Sequence, residues 1–334
     1  MTSNVGIVVN SNRTAETKAA YLLRGQNLWK KAANELGSSV IELKPKDFIS
    51  WLEDLLPTLK PASRRQYLAA SREWLSYIQI SGIVYSGTIG DLDEAIMHCL
   101  TIKSVDYTSV LKTKSKRGNT SSNKAKRITS VELRKLAKNE HGYNGKWRLP
   151  AMIWLAANII VGLRPIEWRT AKLVTIDNKL NLEVTNAKNT NGRSHGKLRH
   201  LDLSDLSKSD LDLIKGQLQA VCYYVESYAN WEAYYGGVRR AIRHLTRANL
   251  PKGSKYPSLY SSRHQFAANA KAAGLQKVDI GALMGHATDE TATMHYGKKK
   301  HGSGSFAIKA SQHEIARVRV KSEKQCSHTV RAGV

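Results

Sequence analysis

Between residues 14 and 36 the apolar positions recur at helical spacing, at Ala19, Leu22, Leu23, Leu28 and Ala32, and Gly37 supplies a stop. A second helix is predicted from about Lys46, carrying Phe48, Trp51, Leu52, Leu55 and Leu56 and ended by Pro57. Ser63 is a candidate cap for a third, on which Tyr67, Leu68, Ser71, Trp74, Leu75 and Ile78 share one face. A fourth runs from Ile89 to Lys103, while residues 1–13 show no such period and read as a short irregular or strand-like leader. Residues 14–111 are therefore expected to form a helical domain.

The pattern then breaks. Residues 112–127 hold Lys112, Lys114, Lys116, Arg117, Lys124, Lys126 and Arg127, no acidic residue and almost nothing apolar. That composition predicts an interdomain linker, either simply solvated or lying along phosphates. Beyond it, Thr129 or Ser130 is placed to cap a helix through Lys138, and an apolar helix spans Ala151–Val161 and stops at Gly162. Residues 172–204 switch to strand character. Val174–Ile176, Leu180–Thr185 and Leu198–Leu203 predict a small antiparallel sheet, with turns at Asp177-Asn178 and at Asn189–Gly196. Helical spacing returns at Ser207–Ala220, Tyr223–Arg247, Tyr260–Ala273, Val278–Met284 and Thr288–Tyr296. The fold class is thus mainly α with a small antiparallel β-sheet. A mixed α+β domain at 128–300 is followed by a C-terminal helix candidate at 307–320 and a basic tail ending at 334.

Charge narrows the function. Of 334 residues, 52 are Lys or Arg and 27 are Asp or Glu, a formal net charge of +25, which points to a polyanion. With 41% hydrophobic residues the charge sits on a folded protein. No apolar run approaches the roughly 20 residues a spanning helix needs. The N-terminus lacks the charged and apolar regions of a signal peptide. Nucleic acid is therefore preferred to membrane. Cys99, Cys222 and Cys326 are far apart and form no CxxC or zinc spacing, so the expectation is a reducing cytoplasm, no metal, and each cysteine a small buried hydrophobe.

Candidate chemistry lies in two stretches, Gly162-Leu163-Arg164-Pro165-Ile166-Glu167 and Arg263-His264 … Gly285-His286 … Tyr296. Arg164 and Arg263 are 99 residues apart, so only the fold can bring them together. Taken singly, each has a plainer reading as a surface ion-pair partner, and Tyr296 is one of 14 tyrosines. Taken together, two guanidiniums can hold the non-bridging oxygens of one phosphodiester while a tyrosine attacks its phosphorus. His286 and Tyr296 are ten residues apart, about 15 Å along one straight helix. A turn near Gly285–Ala287 must therefore fold the segment back, with Thr288 a candidate cap for the next helix.

In this order the residues resemble the active site of the tyrosine recombinases, or phage integrases. The Gly-Leu-Arg-x-x-Glu and Leu-Met-Gly-His boxes and the segment ending at Tyr296 carry the resemblance over about 128–300. Residues 14–111 resemble the family's core-binding domain only loosely. The resemblance implies that Tyr296 is the nucleophile, that Arg164 and Arg263 hold the phosphate, that His286 and a lysine serve the proton transfers, and that Glu167 orients an active-site group. It also implies an acid-catalyst lysine in the β-hairpin, for which Lys188 is best placed, Lys197 second and Lys172 less so. One departure stands out. The family usually has histidine where this chain has Tyr260, leaving His264 and His295 as weaker candidates to take the proton.

The implied function is site-specific recombination of double-stranded DNA through a 3′-phosphotyrosyl intermediate, without ATP, metal or other cofactor. Two domains would clamp the duplex, with Lys112, Lys114, Lys116, Arg117, Lys124, Lys126 and Arg127 on its phosphates. The expected assembly is a tetrameric synapse, with room for accessory DNA-bending factors. The setting would be the cytoplasm, at a bacterial nucleoid or in the host cell of a phage. The apolar residues after Tyr296 need a surface, on a neighbouring subunit as is common in this class or on their own domain. Two rivals remain open: a type IB topoisomerase, and a DNA-binding regulator with a decayed site, which Tyr260 favours.

Overall fold

The computed structural model describes residues 14–102, 124–187, 189, 194–228, 230–291 and 296–321. The leader, Lys112, Lys114, Lys116, Arg117, Lys188, His295, Cys326 and residues 322–334 lie outside them. The chain divides into two compact units, Met1–Gly118 and Asn119–Val334.

The described part of the first unit is helical: α1 (Ala15–Glu35), α2 (Pro45–Leu55), α3 (Pro61–Ser81) and α4 (Ile89–Ile102). Leu28, Trp29, Phe48, Leu52, Leu75, Ile78, Leu92 and Cys99 form its core. The expected stripe on α1 is displaced. Gly25, Leu28, Trp29, Ala32 and Ala33 are buried, and Leu23 is 61% exposed. The cause is α3, which approaches so closely that a Cβ on Gly25 would run into the Ala70 carbonyl and Trp74. Ser63 is not the cap of α3: Lys60 takes that place, because Pro61 suits the first helical position, where its missing N–H is no loss.

The second unit begins with α5 (Ser130–Lys138), closed by a reciprocal cap in which Thr129 Oγ1 accepts from the Glu132 N–H at 3.1 Å and Glu132 accepts from the Thr129 N–H at 2.7 Å. Next is α6 (Arg148–Val161), apolar nearly all round and buried at the centre of the unit. Its Trp154 lies 5.8–6.3 Å, ring to ring, from Trp168, Trp231 and Tyr234. Strands β1 (Lys172–Ile176), β2 (Lys179–Thr185) and β3 (Leu198–Asp202) pair antiparallel in sequence order. Asp177 and Asn178 both take positive φ (48° and 59°), the hairpin geometry that Asn and Asp tolerate. Then come α7 (Lys208–Tyr228), α8 (Trp231–Asn249), α9 (Leu259–Ala272) and α10 (Lys277–Leu283). The break between α7 and α8 falls near Asn230 rather than after Ala220. The Asn230 side chain accepts from the Ala233 N–H at 2.6 Å and starts the new helix there.

The C-terminal segment differs most from expectation. In place of one helix over 307–320 there is a fourth strand, β4 (Lys309–Ala310), on the free edge of β3, and a short α11 (Gln312–Ala316). Ser311 splits them by capping α11, accepting from the Glu314 N–H at 3.2 Å. Ile308, Glu314 and Val318 are buried against this same unit, so here the segment docks on its own domain. Cys99 is buried as expected, but Cys222 is exposed and bonds to Glu226 at 3.0 Å. Among the described residues no helix is long and apolar enough to cross a membrane.

Candidate active site

The site starts where α6 stops. Gly162 takes φ 63°, a left-handed conformation open to glycine, and turns the chain so that Arg164 precedes the 3-10 turn Pro165–Arg169. Arg164 and Glu167 close that turn on each other. The carboxylate accepts from the Arg164 backbone N–H at 2.8 Å and from its Nη1 at 2.6 Å. Asn158 on α6 ties the turn to α9, accepting from Trp168 Nε1 and donating to Ser262 Oγ, both at 2.9 Å.

Arg263 projects from α9 into the same place and is fully buried. Its Nη1 donates to the Gly162 carbonyl and lies 3.8 Å from Glu167. Its Nη2 donates to the Met284 carbonyl at 2.7 Å and to His286 Nε2 at 3.2 Å. Its Nε donates to the Tyr296 hydroxyl at 3.3 Å. Thus the fold joins Arg164, Glu167, Arg263, His286 and Tyr296, which come from three separate stretches of the chain. All three nitrogens of Arg263 already donate to protein acceptors. The Tyr296 hydroxyl therefore holds a donor of Arg263 that a phosphate oxygen could otherwise use.

His286 reaches the site because α10 is followed by a turn at Gly285, whose φ is 65°. That is the turn the ten-residue interval required. Thr288, the expected cap, bridges to Arg319 and its Oγ1 bonds to Thr291 Oγ1 at 3.1 Å just where helix begins at Glu290; 292–295 lie outside the described residues. Burial pushes the His286 imidazole well below its usual pKa, with Arg263, Arg164 and Arg199 adding to the effect, so it is neutral. Because Nε2 accepts from Arg263, the proton sits on Nδ1, which is buried with no hydrogen-bond partner.

Burial would raise the Glu167 carboxyl, but Arg199, Arg263 and Arg164 together hold it well below the usual carboxylate range. Arg199 is not among the residues expected from sequence. It is fully buried on β3 and donates to Glu167 Oε2 at 2.8 Å. Its only sequence signal is its register, since it alternates with Leu201 on the inward face of a strand.

Tyr260 sits one helical turn before Arg263, 38% exposed, and with Arg164 it lines a depression of about 350 Å³ shared with Trp231 and Tyr235. Burial raises its phenol pKa further, so it is a donor rather than a base. His264 is flanked by Tyr260 and Tyr296, with ring centroids 6.4 and 5.1 Å away, and burial lowers its pKa to about 4. Lys197 is exposed in the hairpin, and Lys172 pairs with Glu183 at 3.1 Å. Of the basic run, Lys124, Lys126 and Arg127 are exposed beside α9, where Ser261 Oγ donates to the Ala125 carbonyl at 2.6 Å and Arg127 meets His301 at 2.9 Å.

No family model and no curated protein matches this chain. Solved structures do. A lambda integrase dimer bound to a COC′ core site aligns at 14% identity and TM-score 0.42, over 84% of this chain and 71% of that one. XerH site-specific recombinase bound to difH substrate aligns at 16% identity and TM-score 0.45, covering 83% and 75%. The Tn1549 transposon integrase in complex with circular intermediate DNA aligns at 13% identity and TM-score 0.36, covering 82% and 94%. The fold resembles that of these recombinases. At such low scores and identities the likeness carries no chemistry across, and any chemistry must come from the side chains themselves.

Proposed function

We propose that this chain is a site-specific DNA recombinase of the tyrosine class. The observation that carries the reading is the Tyr296 hydroxyl held on Arg263 inside a buried cluster with Arg164 and His286. The scissile phosphate would enter over Arg164 and displace the Tyr296 hydroxyl from Arg263, turning that oxygen toward phosphorus. Guanidiniums in a water-poor site stabilise the charge that builds on the equatorial oxygens. His286, whose Nε2 accepts from Arg263, would hold that guanidinium in place beside the phosphate. As the Tyr296 oxygen bonds to phosphorus, its phenol proton passes to solvent, the phenolate being favoured by the Arg263 guanidinium beside it; the bond to the 5′ oxygen breaks and that oxygen takes a proton. Lys188, which follows β2 in the sequence, is the proposed donor, and Tyr260 enters as a hydrogen-bond donor in place of the family's usual histidine. A 5′ hydroxyl from a partner duplex reverses the step, so the phosphodiester is conserved without ATP. The proposed DNA-binding surface includes Lys124, Lys126 and Arg127 beside α9, and Arg239, Arg240, Arg243 and Arg247 on the exposed face of α8. The unit Met1–Gly118 would act as a core-binding domain, and synapsis would join two sites in a tetramer.

The test is a suicide substrate, a duplex nicked near the cleavage point and carrying the site recovered from DNA flanking the gene. The full chain should give a protein–DNA adduct on a denaturing gel. Tyr296→Phe should lose the adduct and keep site binding, because the ring still packs while the nucleophile is gone. A normal adduct from Tyr296→Phe means that another residue attacks. Specific binding without any adduct from the unaltered chain favours the decayed regulator to which Tyr260 points.

A further inference from the structure

A guanidinium on the inward face of a strand is costly unless it is fully paired, since desolvating an unpaired charge amounts to several kcal/mol. Arg199 opposes Val184 across the β2–β3 ladder and has no exposure. Its three nitrogens go to three different segments. Nη2 donates to Glu167 Oε2 at 2.8 Å, Nη1 to Asn186 Oδ1 at the end of β2, and Nε to the Leu283 carbonyl at 3.0 Å, at the end of α10. The segments are the turn that carries Arg164, the hairpin end at Asn186-Ala187, and the turn that delivers His286. Gly285 marks how tightly they meet. A Cβ there would collide with Asn186 Oδ1 and lie 2.8 Å from Arg199 Nη1.

Glu167 is the shared element. One oxygen takes Arg164 Nη1 at 2.6 Å and the Ala187 N–H at 3.2 Å; the other takes the Arg164 N–H and Arg199, both at 2.8 Å. A buried carboxylate beside Arg164 and Arg263 competes with a phosphate for them. Arg199 answers that competition. Three guanidiniums against one carboxylate leave two positive charges. An attacking phenolate and a phosphodiester bring two negative charges to the transition state.

Resting on the recombinase reading above, we propose that Arg199 is a positioning residue for strand cleavage. It neutralises and anchors Glu167 so that Arg164 and Arg263 keep their charge for the phosphate, and it locks the hairpin end and the His286 turn in register. It touches no DNA.

The experiment measures single-turnover cleavage and site affinity on the nicked duplex for the full chain, Arg199→Met, Arg199→Lys, and Arg199→Met combined with Glu167→Gln. The expected result for Arg199→Met is a loss of cleavage of about 10²-fold, the scale set by misplacing a reacting group by an ångström, with affinity within about threefold of the unaltered chain. Arg199→Lys keeps the charge and falls between the two. Adding Glu167→Gln removes the competing charge and should recover about tenfold of the loss, a rescue that a purely structural role does not give. Cleavage at the normal rate by Arg199→Met overturns the proposal. So does a loss that follows the melting temperature across all the variants, with no recovery in the double variant. If Arg199→Met does not fold, Arg199→Lys decides: normal cleavage by a folded Lys variant at an unchanged pH profile also overturns the proposal. Absence of any adduct from the unaltered chain is a different result, and it removes the recombinase reading itself.

Discussion

At the scale of single residues, the two arginines read alike in the sequence but differ in the fold. Arg164 keeps 5% exposure and is braced by Glu167 from its own turn, while the neighbouring Leu163 is fully buried and pins that turn to the core. We expect Arg164→Ala to fold and to cleave at least about 10²-fold more slowly, the usual effect of losing a preorganised oxyanion donor. Its affinity should fall far less, because many other phosphate contacts remain. Parallel losses of rate and affinity would make it an ordinary DNA contact. Arg263→Ala should behave differently. It strands the Gly162 and Met284 carbonyls and takes a counter-charge from Glu167, so about 3–5 kcal/mol of stability should go with the activity. Thermal melts separate the two cases.

At the scale of elements, the C-terminal segment is the most informative. It extends the sheet through β4 and buries Glu314 on the hairpin, where His195 lies 2.7 Å and His200 3.6 Å away. It also holds the loop after His286, since the Arg319 N–H donates to the Ala287 carbonyl at 3.0 Å. Truncation after Gly304 should therefore lower the melting temperature by several degrees or prevent folding. An unchanged melting temperature would mean that this docking is dispensable and that the segment is free to exchange between subunits.

At the scale of the whole molecule, the folded state binds fewer protons than the unfolded chain over the acid range. His264, with its pKa lowered to about 4, and His286, lowered well below its usual value, are held neutral, whereas both charge near pH 6.5 when unfolded. A depressed folded pKa gives stability that is fully present above about pH 6.5 and is lost as pH falls through about 4. The Glu167 carboxyl adds a contribution that goes only below the usual carboxylate range. Urea midpoints should drop between about pH 7 and about pH 4.5, and His264→Asn should shrink that drop. A flat profile would contradict the burial of these rings. The +25 charge leads to a further expectation: log affinity for duplex DNA should fall steeply and linearly with log salt, and a slope near zero would rule out extensive phosphate contact.

Much of this was legible in the sequence, because periodicity and turn chemistry are local. The first-unit helices, the stop at Gly162, the Asp177-Asn178 hairpin and the switch to strands follow from neighbouring residues alone, whereas the set of residues proposed to handle a phosphate was implied by the family resemblance of their boxes. What the tertiary structure decided was non-local. The α1 stripe moved because α3 comes close at Gly25. A two-residue β4 has no period of its own and exists only because the edge of β3 is there to pair with. Arg199 looks like any strand arginine until Glu167, Asn186 and Leu283, from three separate segments, converge on it. A charge can be buried only where its partners already are, and the chain brings those partners together only by folding.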